Sequence, residues 1–243
     1  YILGLLVFAR YQANQSLVTG ATWLGAAGVI FYGLTEIPLV YRQLKAFMLE
    51  GQESLLGFGF HYVVLVLVLG IMVFLFQNRM VLAGKRPAVP DIYLWLACLM
   101  LVVIASSELL YHTIVLQFTR LPAGAANQSN LWAVAYAEFE NLTQQTNKVG
   151  FPILWGLCAF GFMFIGLKKK NKALRIFSLS LFTLTLVKLF AYDIQGISEG
   201  GKIAAFISLG GLLLVISFMY QNIKRLILAD EAAPTAPKNR PEE

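Results

Sequence analysis

Charged side chains are scarce in this sequence, and that scarcity is its most informative property. Only 13% of the 243 residues are Asp, Glu, Lys or Arg, whereas a soluble domain has about 25%. Apolar residues make up 58% of the chain, and they form runs that are longer than the core segments of a soluble domain. The composition therefore excludes an ordinary soluble fold and predicts a membrane protein.

The signatures of several enzyme classes are also missing. The sequence has no Walker A phosphate loop, no dinucleotide-binding glycine fingerprint and no His-Glu-x-x-His zinc helix. Its two cysteines, Cys98 and Cys158, lie inside apolar runs, which is typical of small buried side chains. We therefore expect no metal and no cofactor, and the sequence does not decide whether the protein is an enzyme.

Six apolar runs are each long enough to cross about 30 Å of hydrocarbon as a helix. They occupy residues 18–40, 56–77, 91–118, 149–167, 173–192 and 203–223. The shorter run Tyr1–Ala9 follows no basic region, and we expect it to be the end of a helix whose beginning is missing. The predicted fold is all-α: a polytopic transmembrane bundle over 1–225, with six complete spans and one partial N-terminal span, forming the C-terminal portion of a longer protein. Residues 226–243 are predicted to be a disordered cytoplasmic tail.

Lysine and arginine are distributed unevenly over the links between these runs. Of the 19 basic residues, 13 fall on one side of the predicted membrane and 5 on the other, and Lys188 lies within a span. The positive-inside rule places the richer side, with Lys168–Lys172 and the C-terminus, in the cytoplasm and the link Thr119–Lys148 outside. Basic clusters beside spans predict contact with lipid headgroups rather than with nucleic acid, so membrane lipids and other membrane proteins are the expected partners.

A few ionisable residues lie inside the predicted spans, where a charge costs about 2.5–3.5 kcal/mol on insertion scales. On the predicted topology all of them lie toward the outer ends of their helices. The candidate substrate or proton site therefore comprises Glu36, His61, Glu108, His112, Lys188 and, at a span boundary, Asp193.

Three predicted spans carry small and polar residues at helical spacing, which favours faces that point into the bundle. Tyr32 and Tyr192 are structural candidates on two of these faces, and Glu108 and His112 form an i,i+4 pair. The three faces are Ala21, Gly25, Gly28, Tyr32 and Glu36; Ala97, Leu101, Ala105, Glu108 and His112; and Ser178, Thr185, Lys188 and Tyr192.

A purely structural explanation of these residues stands beside the functional one. Lys188 would then neutralise Glu36 or Glu108, and His112 would satisfy Glu108. A histidine near a membrane interface, such as His61, is typically solvated or packed. The residues alone do not decide between a packed ion pair and a wet, outward-facing cavity.

The C-terminal third resembles a known family. Its pattern comprises Gly150-Phe-Pro-Ile-Leu-Trp-Gly156, Ala173-Leu-Arg175, Leu184-Thr-Leu-Val-Lys-Leu-Phe190, Asp193 and Met219-Tyr-Gln221. This order resembles the end of the bacterial predicted membrane proteins named domain of unknown function 2339. The resemblance implies family-pattern positions at Arg175 (a structural candidate), Lys188, Asp193 and Gly210, with Lys202 replacing the usual arginine, and it implies a multi-pass protein of the bacterial inner membrane.

Three functions agree with this pattern. The first is an envelope protein that handles a lipid-linked or small solute substrate in an outward-facing polar cavity. The second is a transporter module in which the same groups form a coupling-ion or proton site. The third is a structural or assembly subunit, in which substituting Glu108 or Lys188 would change stability alone.

Overall fold

The structure, a computed structural model, describes residues 2–11, 15–50, 56–83, 89–119, 129–193, 199–200 and, in part, 202–217. Within these residues the chain is helical and has no strand, so the all-α prediction is confirmed. The predicted tail 226–243 lies outside the described residues, and the predicted span 203–223 is described only in part.

Eight α-helices and three π-helical turns have bounds within residues 2–193, and the described residues of 199–217 are also helical. The α-helices are α1 (Ile2–Tyr11), α2 (Gln15–Phe31), α3 (Ile37–Leu49), α4 (Leu56–Ala83), α5 (Val89–Gln117), α6 (Ser129–Gln145), α7 (Phe151–Lys168) and α8 (Lys172–Lys188). The first π-helical turn, Tyr32–Glu36, joins α2 to α3; the second, Thr146–Gly150, joins α6 to α7; the third, Leu189–Asp193, extends α8. Each of the pairs α2–α3 and α6–α7 is therefore one continuous rod.

Four helices of the described chain are long and apolar enough to cross a membrane. They are Ser16–Leu49, Phe58–Gln77, Ile92–Gln117 and Asn130–Lys168, and they contain the first four predicted runs or most of them. Only 28% of the most apolar window of Phe58–Gln77 is buried. Many of its apolar side chains, such as Phe60 and Val66, therefore face outward, where lipid contact is expected. The structure therefore supports a bundle of membrane-spanning helices with at least these four candidate crossings.

Two of the predicted polar links are largely helical, which corrects the sequence-based boundaries. The link Tyr41–Leu55 contains the second half of α3, and the link Thr119–Lys148 contains all of α6. The rods of 34 and 39 residues are roughly 50 and 60 Å long, whereas the hydrocarbon layer is about 30 Å thick. Rods of this length that cross a membrane extend beyond its hydrocarbon layer. Helical spacing of apolar residues explains why these segments fold, as in Ala135, Phe139 and Leu142.

The projecting ends of the two rods pack together as a helical cap, formed by α3, α6 and the end of α5. Its apolar core includes Leu44, Ile114 and Phe139, of which Ile114 and Phe139 are fully buried. The Lys45 ammonium lies 2.8 Å from a Glu140 carboxylate oxygen, but the two side chains are 29% and 34% exposed. An ion pair this exposed is worth about 0.2–1 kcal/mol, so the apolar core holds the cap together.

A proline explains the π-helical turn in each rod. Pro38 follows Tyr32–Glu36, and Pro152 follows Thr146–Gly150. A proline has no N–H, and its ring collides with the carbonyl four residues earlier. The extra residue of a π turn relieves this collision and lets the helix continue. The apolar runs therefore pass through their prolines instead of ending at them.

At the opposite end of the bundle, α7 and α8 form a close antiparallel hairpin. The Asn171 side chain caps α8 by accepting a hydrogen bond from the Leu174 N–H at 3.1 Å. A Cβ atom at Gly166 would lie 3.1 Å from the Arg175 backbone nitrogen, so glycine allows the two helices to approach. The structural role of Arg175 stays a prediction.

Candidate functional site

A histidine and a glutamate from adjacent helices meet inside the bundle. His61 lies near the beginning of α4 and Glu108 lies on α5, and their Nε2 and Oε1 atoms are 2.7 Å apart. The side chains are only 3% and 19% exposed. The Phe58 carbonyl oxygen lies 3.2 Å from the other ring nitrogen of His61, Nδ1.

This geometry fixes the number of protons held by the His61–Glu108 pair. A carbonyl oxygen only accepts, so His61 Nδ1 carries a hydrogen and donates it to Phe58. Nε2 then faces a carboxylate oxygen, and a hydrogen bond between them needs one more proton. That proton is either on the imidazole, giving an imidazolium beside a carboxylate, or on the carboxyl group. The bonded pair therefore contains a shared proton.

His112 connects Glu108 to the surface of the helix bundle. Its Nδ1 donates to the Glu108 backbone carbonyl at 2.7 Å, and it is 3.7 Å from the carboxylate oxygen Oε2. Its Nε2 forms a hydrogen bond with the Tyr62 hydroxyl, and the two atoms are 3.2 Å apart. The His112 side chain is 53% exposed. Glu108 thus lies between a buried histidine and an exposed one.

Aromatic rings enclose the buried histidine. The Tyr111 ring meets the His61 ring edge-on, with centroids 5.8 Å apart, and the Phe58 ring lies 5.4 Å away. The Tyr111 hydroxyl donates to the Ile37 carbonyl at 2.6 Å, which fixes this buried ring between α5 and the first rod. These contacts keep water from one side of the pair and hold the imidazole in place.

Glu36 and Tyr32 lie in the first π-helical turn, next to the pair. Tyr32 is buried and Glu36 is half-buried. The structure brings His61, Glu108 and His112 together, and it places Glu36 in a turn that contacts α5. The roles of these four residues stay predictions.

Lys188 has a different set of contacts, on the side of α5 that faces α7 and α8. Its ammonium donates to the Asn147 backbone carbonyl at 2.8 Å and lies 5.8 Å from the centre of the Trp155 ring. In the π turn the Phe151 N–H bonds to the Thr146 carbonyl. The next carbonyl, at Asn147, would pair with residue 152, which is a proline without an N–H. Lys188 supplies the missing donor.

We expect Lys188→Met to lower the free energy of unfolding by about 1–2 kcal/mol, because the Asn147 carbonyl loses a charged donor. In a Pro152→Ala background the backbone N–H returns, and the cost of Lys188→Met should fall. Unfolding of the four proteins of this cycle in mixed micelles measures the difference. An equal cost in both backgrounds would show that Lys188 does not compensate for the proline.

A groove lies beside the pair, on the other side of Tyr111, and is named the outer groove because this end of the bundle is predicted to face outward. It is a cavity of about 590 Å³ between α3, α5, α6, the second π turn, α7 and α8. Tyr41, Thr143 and Asn147 line it near the cap, and Leu99 and Leu184 line its apolar remainder. Within it, the Trp155 indole N–H donates to the Ser106 hydroxyl at 2.9 Å.

Some of the residues that were predicted to face the interior of the bundle are exposed in the structure. The first face is correct, since Ala21, Gly25 and Tyr32 are buried. The α5 face is wrong for Leu101 and His112, both of which are exposed, and Tyr192 is 75% exposed. The rotation of each helix about its own axis determines which residues face inward. The spacing of residues within one helix does not reveal that rotation. The Asp193 side chain lies outside the described residues.

Comparison with known families agrees with the membrane fold. The family described as "Predicted membrane protein (DUF2339)" matches residues 1–223. The chain belongs to this family. The match extends well beyond the C-terminal third on which the resemblance was based. No curated protein and no solved structure matches this DUF2339 protein, so its functional interpretation rests on the geometry above.

Proposed function

We propose that this DUF2339 protein handles a lipid-linked or other amphiphilic substrate in the outer groove and links that step to a proton bound by the His61–Glu108 pair. The observation that carries the proposal is the position of acceptors on both sides of the His61 ring. Such a pair holds a transferable proton at a depth where ionisable groups are costly. His112 and Tyr62 form the connection from Glu108 to the exposed surface.

The apolar and polar residues that line the outer groove are arranged as an amphiphilic ligand would require. Leucine and valine side chains cover the part toward the middle of the membrane, where an acyl or polyprenyl chain would lie. Phenol, hydroxyl and amide groups of Tyr41, Thr143 and Asn147 line the part near the cap. Groups of this kind orient uncharged polar ligands by hydrogen bonding. Tyr111 lines the groove and also contacts His61, so one side chain connects the two.

We also propose the finer topology as part of this function. Helix α8 and the segment 203–223 would be the fifth and sixth crossings of the bacterial inner membrane, with the C-terminus in the cytoplasm. The 13-to-5 distribution of basic residues supports this arrangement. It places the pair and the outer groove toward the outside of the cell.

Transport is one form of this proposal, with the pair as a coupling-ion site. A structural subunit is the competing function, favoured by the direct bond that the pair makes between α4 and α5. The two differ in what Glu108→Gln does. Loss of proton dependence with the fold retained supports the proposal, whereas a change in stability alone supports a structural role.

The groove can be tested by identifying the lipids that copurify with the protein. Leu184→Trp places a large ring in the outer groove, whereas Val187→Trp changes an equally exposed side chain on α8 that does not line the groove; the two residues are 53% and 54% exposed. We expect mass spectrometry to show a lipid retained by the wild type and Val187→Trp and lost from Leu184→Trp. Identical lipid content in both variants would refute the groove.

The proton is tested by the pH dependence of that lipid's retention. In the wild type we expect lipid retention to change with pH, because the His61–Glu108 pair holds a transferable proton. In Glu108→Gln we expect a flat profile. An unchanged profile in this variant would remove the pair from the mechanism, even if the groove binds the lipid.

A further inference from the structure

A second groove lies at the opposite end of the bundle from the His61–Glu108 pair. This inner groove is a cavity of about 840 Å³ between α4, α5, α7 and the turn that follows α7. Leu69, Phe76, Leu101 and Phe162 contribute to its apolar wall. It accompanies α7 from Phe162 to Lys169, and this stretch is about 11 Å long, which is about two thirds of the thickness of one hydrocarbon leaflet.

The polar residues of the inner groove are gathered at one end. Lys169, Asn171 and Gln77 line it there. Asn171 is held in place by the hydrogen bond that its side-chain oxygen accepts from Leu174, and its amide group also carries N–H donors. Lysine, asparagine and glutamine together offer a positive charge and neutral donors, which suits a phosphate ester.

The neighbouring sequence increases the positive charge at this end. Lys168, Lys170 and Lys172 are exposed beside Lys169, and the segment 165–175 contains no acidic residue. The basic turn follows directly on a candidate membrane span, so it lies at the level of lipid headgroups. Among these lysines, only Lys169 lines the groove.

We propose that the inner groove binds an anionic phospholipid, with its phosphate at Lys169 and Asn171 and an acyl chain along α4, α5 and α7. The occupant follows from charge complementarity at the polar end of the groove and from an apolar wall that covers much of one leaflet. A zwitterionic lipid would bring a cationic group to the lysine-rich end, and a free anion would leave the apolar wall unoccupied. The site is independent of the outer groove and of the proton pair.

The headgroup contact is tested on the full chain in a non-ionic detergent, by native mass spectrometry with phosphatidylglycerol and phosphatidylcholine of identical acyl chains. We expect a preference for phosphatidylglycerol that Lys169→Gln lowers by about fivefold, the factor expected for one lysine near a headgroup. Lys168→Gln and Lys170→Gln remove the same charge from the same exposed turn and should retain the preference. Equal losses in all three variants, or competition by inorganic phosphate, would overturn the site.

The acyl-chain contact is tested with two adjacent residues of α7. Ile165 lines the inner groove and Phe164 does not, and they are 42% and 55% exposed. Ile165→Trp should abolish retention of phosphatidylglycerol, whereas Phe164→Trp should leave it unchanged. Equal retention by the two variants would show that the groove does not hold the chain, for example because another polypeptide segment fills it.

Discussion

Glu108→Leu is expected to lower the free energy of unfolding by about 2 kcal/mol, because His61 remains buried after losing its hydrogen-bond partner. This value lies near the upper end of the range for interhelical polar contacts in a membrane protein, because the contact is buried and short. Glu108→Gln keeps an acceptor for His61 and should cost less than about 1 kcal/mol. Denaturant titration in mixed micelles, followed by circular dichroism, gives both values.

A control is available on the cap. Glu138 lies on α6 with an exposed side chain, so Glu138→Gln removes a carboxylate without breaking a buried contact and should change stability by less than about 0.5 kcal/mol. If Glu108→Leu proves as mild as this control, then the His61–Glu108 contact does not contribute to the native bundle. In that case the proposed proton site would also lose its basis.

Phe139→Ala is expected to have the larger effect, about 3 kcal/mol, because the ring is completely buried in the cap. The cap projects from the membrane, so removing the ring loses hydrophobic burial in addition to packing. The same unfolding titration measures the loss. Limited proteolysis should then cut α6 sooner in this variant than in the wild type.

Val134→Ala is the matched control for the cap, since Val134 lies on the same helix with 69% of its surface exposed. It should be almost neutral in both measurements. Similar results for Phe139→Ala and Val134→Ala would mean that α6 does not pack on α3 and α5. The helical extension of the second rod beyond the membrane would then be in question.

Hydropathy was sufficient to find the four strongest spans, because a long apolar run is read from composition alone. The helical cap was missed for the same reason, since the segment that contains α6 is polar on average. Its signal was present in the helical spacing of Ala135, Phe139 and Leu142. Pro38 and Pro152 lie inside predicted runs, and the π-helical turns before them let both helices continue.

The candidate site was accessible from the sequence only in part. The i,i+4 spacing of Glu108 and His112 could be read directly. The contact between His61 and Glu108 joins residues 47 positions apart, and it depends on how α4 and α5 are rotated against each other. Tyr111 and Asn147 were not singled out, because one acts through its ring and the other through its backbone carbonyl. The shared position of the ionisable residues along their predicted spans was the sequence feature that pointed to this part of the bundle.

The second π-helical turn has a consequence for the mechanics of the long rod that contains it. A helix bends most easily where its ladder of backbone hydrogen bonds is interrupted, and at Asn147 the missing bond is replaced by one from Lys188 on another helix. The stiffness of the rod at this point therefore depends on a side chain that it does not carry. A lateral force on the projecting cap would bend the rod at the mouth of the outer groove before it moved the part of α7 deeper in the membrane.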